Sequence, residues 1–472
     1  MCGITGLIQR EGAPEPDLLR VMAGHLSHRG PDDEGVHVAG TVGLAHTRLS
    51  IIDLAGGHQP LLDEQGQLAL IANGEIYNYL ELREDLIGRG RPFATGSDSE
   101  TILHAYASYG ERFVERLNGM FAFALYDGRR RTLILARDRL GIKPLFYLEL
   151  PDRIAFASEI KALLPLLPGS PEIDARALVQ FLQSQFSSGE HTIVQGIRRV
   201  APGEMLLIDD RLHIERRRYW SPLAVEPREL GFEEASREFD GLIETVMREH
   251  MRSDVPYGLF LSGGVDSAIL CAMLDRFQDK PIRSFSVGYE GARMRDELDE
   301  AQRIAERFHT EHTALALDRA QVFRRLPHTV WAADDLMRDY ANLPTAALSQ
   351  TAARELKVVF SGEGGDEVFA GYRRYRPSPI ESTLKRLVFR GSGGFRTRGQ
   401  LSPRWTRRLF GPALRQARDA VRRPFIEAWR ATPAAWSDLQ RRQYTDLVTA
   451  LPDNLLVKAD RMMMAFALEG RV

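Results

Sequence analysis

The sequence predicts two unlike folding units, an α+β first half built on antiparallel sheets and a doubly wound α/β second half. Three observations carry this expectation. Residues 1–220 are dominated by short apolar alternations separated by Gly, Asn and Asp, the rhythm of antiparallel strands. From residue 232 onward the pattern becomes helix, strand, helix, strand, which is how parallel sheets are wound. At 472 residues, the chain is also too long for one ordinary core.

In the first half, strands are expected at 3–9, 43–52, 68–73, 120–126, 132–136 and 145–148. Helices are expected at 77–87 and 98–109, the second opened by a Ser97-Asp98-Ser99-Glu100 cap. Helices lying outside a sheet-rich layer would bury both. Residues 221–231 are polar and carry Pro222 and Pro227, so they read as a linker between a 1–220 domain and a 232–472 domain. A helix then runs to His250, followed by strands near 257–261 and 282–287, a helix at 298–308, and strands at 312–317 and 358–360.

Composition narrows the function classes. With 62 basic and 64 acidic residues the net charge is -2, which offers no global attraction to nucleic acid or to an anionic membrane. Only Cys2 and Cys271 are present, so no disulfide framework is indicated and a reducing compartment fits. No run of 18 apolar residues exists, and the N-terminus lacks the basic segment of a signal peptide. A cytoplasmic protein is expected, without membrane or nucleic-acid partners.

Chemistry concentrates in a few stretches. Leu261-Ser262-Gly263-Gly264-Val265-Asp266-Ser267 joins an apolar strand to a helix, and its glycines let backbone N–H groups and a helix N-terminus converge on an anion. Asp266 would repel a bare phosphate, which favours a magnesium nucleotide. Cys2 would be N-terminal after removal of Met1, and its own α-amine could then act as general base to the thiol. Arg48 interrupts an apolar strand, where it either holds a substrate carboxylate or makes a structural salt bridge. Asn73-Gly74 is either a plain turn or a pair of oxyanion donors, and Asp98 could bind an ammonium.

Taken together, Cys2-Gly3-Ile4, Arg48-Leu49-Ser50, His58-Gln59-Pro60, Asn73-Gly74-Glu75-Ile76-Tyr77-Asn78 and Gly96-Ser97-Asp98-Ser99-Glu100 resemble the class II glutamine amidotransferase domain. That domain is Ntn-hydrolase-like, with two antiparallel sheets between helices. The remainder resembles the synthetase domain of glutamine-hydrolysing asparagine synthetase. The resemblance implies that Cys2 attacks the glutamine amide, Arg48 and Asp98 grip the α-carboxylate and α-amine, and Asn73 with Gly74 forms the oxyanion hole. It implies that Leu261 and Val287 flank adenine and that residues 262–267 wrap the pyrophosphate. Ser361-Gly362-Glu363 and Asp366 form a second Gly-rich loop, in which Glu363 would take a proton from ammonia and Asp366 would bind the substrate ammonium or order the loop. Lys458 would neutralise phosphate charge, and Asp339, with Asp266, would handle magnesium. Asp335 stands where the family usually has Glu, either in a functional role or as a structural acid.

The implied activity consumes ATP and glutamine to amidate a carboxylate through an acyl-adenylate, with aspartate to asparagine as the favoured conversion. A different carboxylate, in a secondary metabolite, peptide or sugar, is the alternative; so is a catalytically impaired regulatory homologue. A homodimer is left open. Two stretches depart from the family pattern. Residues 384–424 hold twelve Lys or Arg and one acid, Asp419, which reads as a solvated surface or as a patch for an acidic partner. The chain also stops inside a family motif, so a truncated C-terminus exposing the Met462-Met463-Met464 face is expected.

Overall fold

A computed structural model of the chain describes residues 2–278, 280–291, 297–397 and 399–472. The first half contains two six-stranded sheets with all strand pairings antiparallel. In spatial order the first sheet runs Ile197–Arg199, Phe146–Glu149, Arg153–Ala157, Cys2–Gln9, Val42–Arg48, Asp33–Ala39. The second runs Ile214–Arg218, Glu204–Ile208, Thr132–Arg137, Gly119–Asp127, Leu68–Ile76, Leu61–Leu62.

The sheets stack face to face, and helices cover both outer faces. Side chains alternate along a strand, so Ile4 and Ile8 point into the space between the sheets with Leu44, Ile71, Ala124 and Leu135. Leu7 takes the opposite face, against Leu19 and Met22 of helix Pro16–Gly24. Helices Tyr79–Gly88 and Glu100–Tyr109 close the other side over Leu70, Phe121 and Phe123. Burial on both faces is why Cys2–Gln9 reads as nearly continuous apolar sequence.

Several details depart from the sequence reading. The strand expected at 43–52 ends at Arg48, and the helix expected from 98 begins at Glu100. Ser99 makes no side-chain cap, because the expected capping groups have other partners. Asp98 Oδ2 accepts from the Ile76 N–H at 2.7 Å, and the Glu100 carboxylate accepts from the Ala94 and Thr95 N–H groups. Strands Asp33–Ala39 and Ile214–Arg218 were not foreseen, since each shows solvent a polar face.

The second half is wound around a five-stranded parallel sheet, in the order Glu311–Leu317, Arg283–Tyr289, Tyr257–Phe260, Val358–Phe360, Glu469–Arg471. One face packs Leu259 and Leu261 on Met247, Cys271 and Leu274; the other packs Phe285 and Val359 on Leu348 and Met463. Strand order reverses between Tyr257–Phe260 and Val358–Phe360, so the loops after these two strands splay apart and leave a crevice. Contrary to the expected exposed face, Met462, Met463 and Met464 are buried, and Glu469–Arg471 completes the sheet edge.

Candidate functional sites

Cys2 opens a strand in the middle of the first sheet, directly across the antiparallel register from Arg48. Its thiol is buried and lies against the Leu49 N–H; burial pushes its pKa up, so it rests as a thiol and needs a base to become a nucleophile. Asn73 reaches it from the other sheet, its Oδ1 accepting the Cys2 N–H at 3.0 Å. The Asn73 Nδ2 is buried without a hydrogen-bond partner. A buried unpaired amide donor is costly, and beside a nucleophile it is what a developing oxyanion requires.

Gly74 follows with φ +152°, and a Cβ there would lie 2.0 Å from the Met120 carbonyl oxygen, so only glycine fits. Arg48 makes no ion pair among the described residues. Its guanidinium donates to the carbonyls of Asp53 (2.6 Å), Ile52 (3.3 Å) and Leu54 (3.4 Å), which orient it without neutralising it. Asp98 is buried, which raises its pKa, and it hangs from the Ile76 N–H in the strand that carries Asn73 and Gly74. Met1, whose removal would free the Cys2 amine, lies outside the described residues.

The second site is the crevice at the reversal of strand order, a cavity of about 270 Å³. One wall is the turn after Tyr257–Phe260, with Leu261, Ser262, Gly264, Asp266 and Ser267. Ser262 Oγ lies 2.9 Å from Ser267 Oγ and accepts from the Gly264 N–H, so the turn is held at the N-terminus of helix Val265–Phe277. The facing wall is Ser361, Gly362 and Glu363, and Val287 closes one side. The two loops interlock. A Cβ on Gly365 would fall 2.6 Å from the Asp266 carboxylate, so the missing side chain makes room for that charge. Burial and the nearby Asp366 charge both push the Asp266 pKa up.

Gly263 and Val265 belong to the same turn but do not line the cavity. Lys458 lies behind it, 4 % exposed, with Nζ 2.7 Å from Glu363 Oε1. Asp339 is occupied elsewhere, accepting from the Ala341 N–H and from Asn454 Nδ2. Asp335 accepts from the Ile193 N–H and pairs with Arg199, which ties it to the first half of the chain. Ser286, Thr345 and Leu348 also line the cavity and were not singled out from sequence. Thr345 and Leu348 lie three apart on helix Asn342–Ala352, a spacing that could have flagged them. Ser286 is oriented by His312, whose Nε2 is 2.9 Å from its Oγ, a partner 26 residues away.

Helix Leu456–Met464 connects the two sites. It carries Lys458 to Glu363, and two residues later Asp460 takes both Nη atoms of Arg29 at 2.8 and 3.0 Å. Arg29 also donates to the Cys2 carbonyl at 3.1 Å and pairs with Glu159, which Arg461 contacts at 2.7 Å. Apart from the half-buried Glu363, these charges are buried, and each has an opposite charge beside it, the condition under which ionic groups survive away from water.

Comparison with known proteins places this geometry. Residues 1–220 match a family model described as a glutamine amidotransferase domain, and residues 238–472 match one described as asparagine synthase. Over its whole length the chain is 33 % identical to an asparagine synthetase (glutamine-hydrolyzing) 1 of Bacillus subtilis, spanning 79 % of that protein. It is 35 % identical, again over its whole length and 80 % of the relative, to a putative asparagine synthetase (glutamine-hydrolyzing) of Mycobacterium tuberculosis. Across 80 % of the chain it is 30 % identical to an amidase, chry2, of Gibberella zeae. Among the described residues no helix is long and apolar enough to cross a membrane.

Proposed function

The chain belongs to the glutamine-hydrolysing asparagine synthetase family, and from that premise we propose how its two sites divide the reaction. It is a carbon–nitrogen ligase that uses ATP and glutamine to amidate a carboxylate, aspartate to asparagine, releasing AMP, pyrophosphate and glutamate. The first domain is 1–220, the linker 221–231 and the synthetase domain 232–472.

In the first domain, Cys2 Sγ adds to the side-chain amide carbon of glutamine. The thiol proton passes to the Cys2 amine once Met1 is removed, and then to the leaving nitrogen, which departs as ammonia and leaves a thioester for water to cleave. Asn73 Nδ2 and the Gly74 N–H take the oxyanion charge. Arg48, unneutralised, binds the glutamine carboxylate, and buried Asp98 binds its ammonium.

In the second domain, Leu261 and Val287 flank the adenine, while Ser262, Ser267 and the helix N-terminus hold the pyrophosphate. A carboxylate oxygen of the acceptor attacks the α-phosphorus and pyrophosphate leaves, with Lys458 offsetting its charge. Ammonia then adds to the acyl carbon, Glu363 takes a proton, and AMP leaves. A closed crevice keeps water from intercepting the adenylate.

Magnesium fits this cradle only in part. Asp266 and Asp366 repel each other, which a cation would relieve, yet no cluster of three or more His, Cys, Asp or Glu among the described residues could hold a metal unaided. Asp266 and Asp366, rather than Asp339, would therefore hold the ion together with the nucleotide, where it neutralises phosphate charge. The protein's compartment is proposed as cytoplasmic.

The observation that carries this reading is that one crevice contains both an anion-binding turn and Glu363, held by Lys458 at 2.7 Å. Exchange of labelled pyrophosphate into ATP tests it across a panel of carboxylic acids. Exchange that depends on aspartate supports it. Exchange driven by another acid alone would replace the substrate, and exchange with none would overturn the adenylate.

A further inference from the structure

The basic segment 384–424 is used by neither site, yet it is folded rather than merely solvated. Helix Pro412–Gln416 and the turn Ala417–Val421 pack onto helix Ala175–Ser184 of the first domain, with helix Pro403–Leu409 beside them. Gln180 Nε2 donates to the Ala420 carbonyl at 3.0 Å, and the Gln183 carbonyl accepts from the Gln400 N–H at 2.9 Å. Between these parts lies a cavity of about 380 Å³, within the usual range for small-ligand sites. Val179, Phe410 and Val421 supply its apolar lining.

Its charged lining is five arginines: Arg396, Arg407, Arg415, Arg418 and Arg422. Arg396 is paired with Asp446 at 2.8 Å, and Arg418 lies 3.7 Å from Asp419. The other three have no carboxylate partner among the described residues. Arg407 Nε and Arg415 Nη2 donate only to carbonyls, those of Pro403 (3.3 Å) and Arg407 (2.8 Å). Arg422 Nη2 donates to Ser392 Oγ at 3.0 Å, and its buried Nε has no partner. Three guanidiniums that line one cavity without a carboxylate partner keep donors free, and an anion with several charged oxygens engages them best. One carboxylate would neutralise only one of them. Single-stranded nucleic acid is held by stacking as well as charge, whereas Phe410, the aromatic residue lining the cavity, is buried.

A chain of contacts leads from this cavity to the synthetase crevice. Buried Asp446 accepts from Arg396 on one oxygen, and from Arg374 (2.9 Å) and the Tyr375 hydroxyl (2.8 Å) on the other. Arg374 reaches Glu367 at 3.4 Å, and Glu367 ends the Gly-rich loop that begins at Ser361 and carries Glu363 and Asp366. We propose that the arginine-lined cavity is a regulatory site for a small phosphate-bearing anion, which competes with Asp446 for Arg396 and so alters the 361–367 loop. The regulatory half rests on the adenylate-forming reading of that loop; the binding half stands without it.

Calorimetry on the full chain tests binding, with inorganic phosphate and pyrophosphate as probes and a non-hydrolysable ATP analogue filling the crevice. Wild type should retain one saturable site for at least one probe. The double variant Arg407→Ala/Arg415→Ala, at exposed positions, should weaken it about tenfold or more while binding the ATP analogue normally. No residual site, or equal affinity in both proteins, would overturn the proposal. So would a variant that loses affinity for a single-stranded RNA while neither phosphate probe binds wild type. For regulation, added phosphate should change the ATP–pyrophosphate exchange rate saturably in wild type and not in the variant. Binding without that change refutes the regulatory half. Binding by a chain that exchanges no label at all counts against the functional reading and leaves the site standing.

Discussion

Glu363→Gln should separate formation of the adenylate from its capture. The side chain is 21 % exposed and its Oε1 lies 2.7 Å from Lys458 Nζ, a lysine otherwise buried. Glutamine keeps an acceptor at that position, so Lys458 is not stranded. The stability cost should fall below the ~3–5 kcal/mol of an outright broken buried pair. On the proposed role of Glu363, the lost function is proton acceptance from ammonia. General bases contribute roughly 10²–10⁴ in rate, equivalent to about 2.7–5.4 kcal/mol of barrier at 1.36 kcal/mol per decade. Adenylation, which we propose uses the facing wall from Ser262 to Ser267, should change far less. Rapid quench with labelled ATP should show a first-turnover burst of pyrophosphate followed by slow amide release. If the variant forms no adenylate yet converts supplied adenylate normally, Glu363 serves binding or activation and its assignment as base is wrong.

Cys2→Ala should abolish glutamine-dependent synthesis and preserve synthesis from free ammonia, because Cys2 lies in the region matched by the amidotransferase model and the crevice proposed for the nucleotide lies in the other; product formation with each donor decides it, and retained glutamine use refutes it. Burial and Asp366 hold the Asp266 pKa above its ordinary value, so this acid protonates early as pH falls, and magnesium dependence should steepen at a higher pH than for an ordinary aspartate. Asp366→Asn should move that inflection to lower pH, and an unmoved inflection in magnesium titrations would show the two carboxylates to be uncoupled. Asp460→Ala strands half of the buried Arg29 contacts and should cost about 3–5 kcal/mol in the first denaturant transition, with weaker glutaminase activity because Arg29 also holds the Cys2 carbonyl. Unchanged unfolding and unchanged glutamine hydrolysis would mean that the interface charges are incidental.

What the sequence revealed was mostly local. The turn 261–267 and the loop from Ser361 are legible because glycines, hydroxyls and carboxylates with one task lie within a few residues of each other. Long-range pairings are not. Arg29 and Asp460 are 431 positions apart, and nothing near either names the other. Asp98 looked like part of a helix cap, but the Ile76 N–H, set by a neighbouring strand, took its carboxylate. The edge strand Glu469–Arg471 has no strand-like composition; pairing with Val358–Phe360 creates it. Asn73 was readable only as a residue type. Its unpaired Nδ2, the feature that gives it chemical meaning, exists only once two sheets are stacked.

The central claim is that nitrogen released at Cys2 becomes the amide made in the second domain's crevice. Glutamine labelled with ¹⁵N in its side-chain amide, supplied with ATP, magnesium and aspartate, tests this most directly. The account predicts asparagine carrying the label, with one AMP formed per labelled product. Label recovered only as free ammonia, or amide formed with ADP in place of AMP, would contradict it.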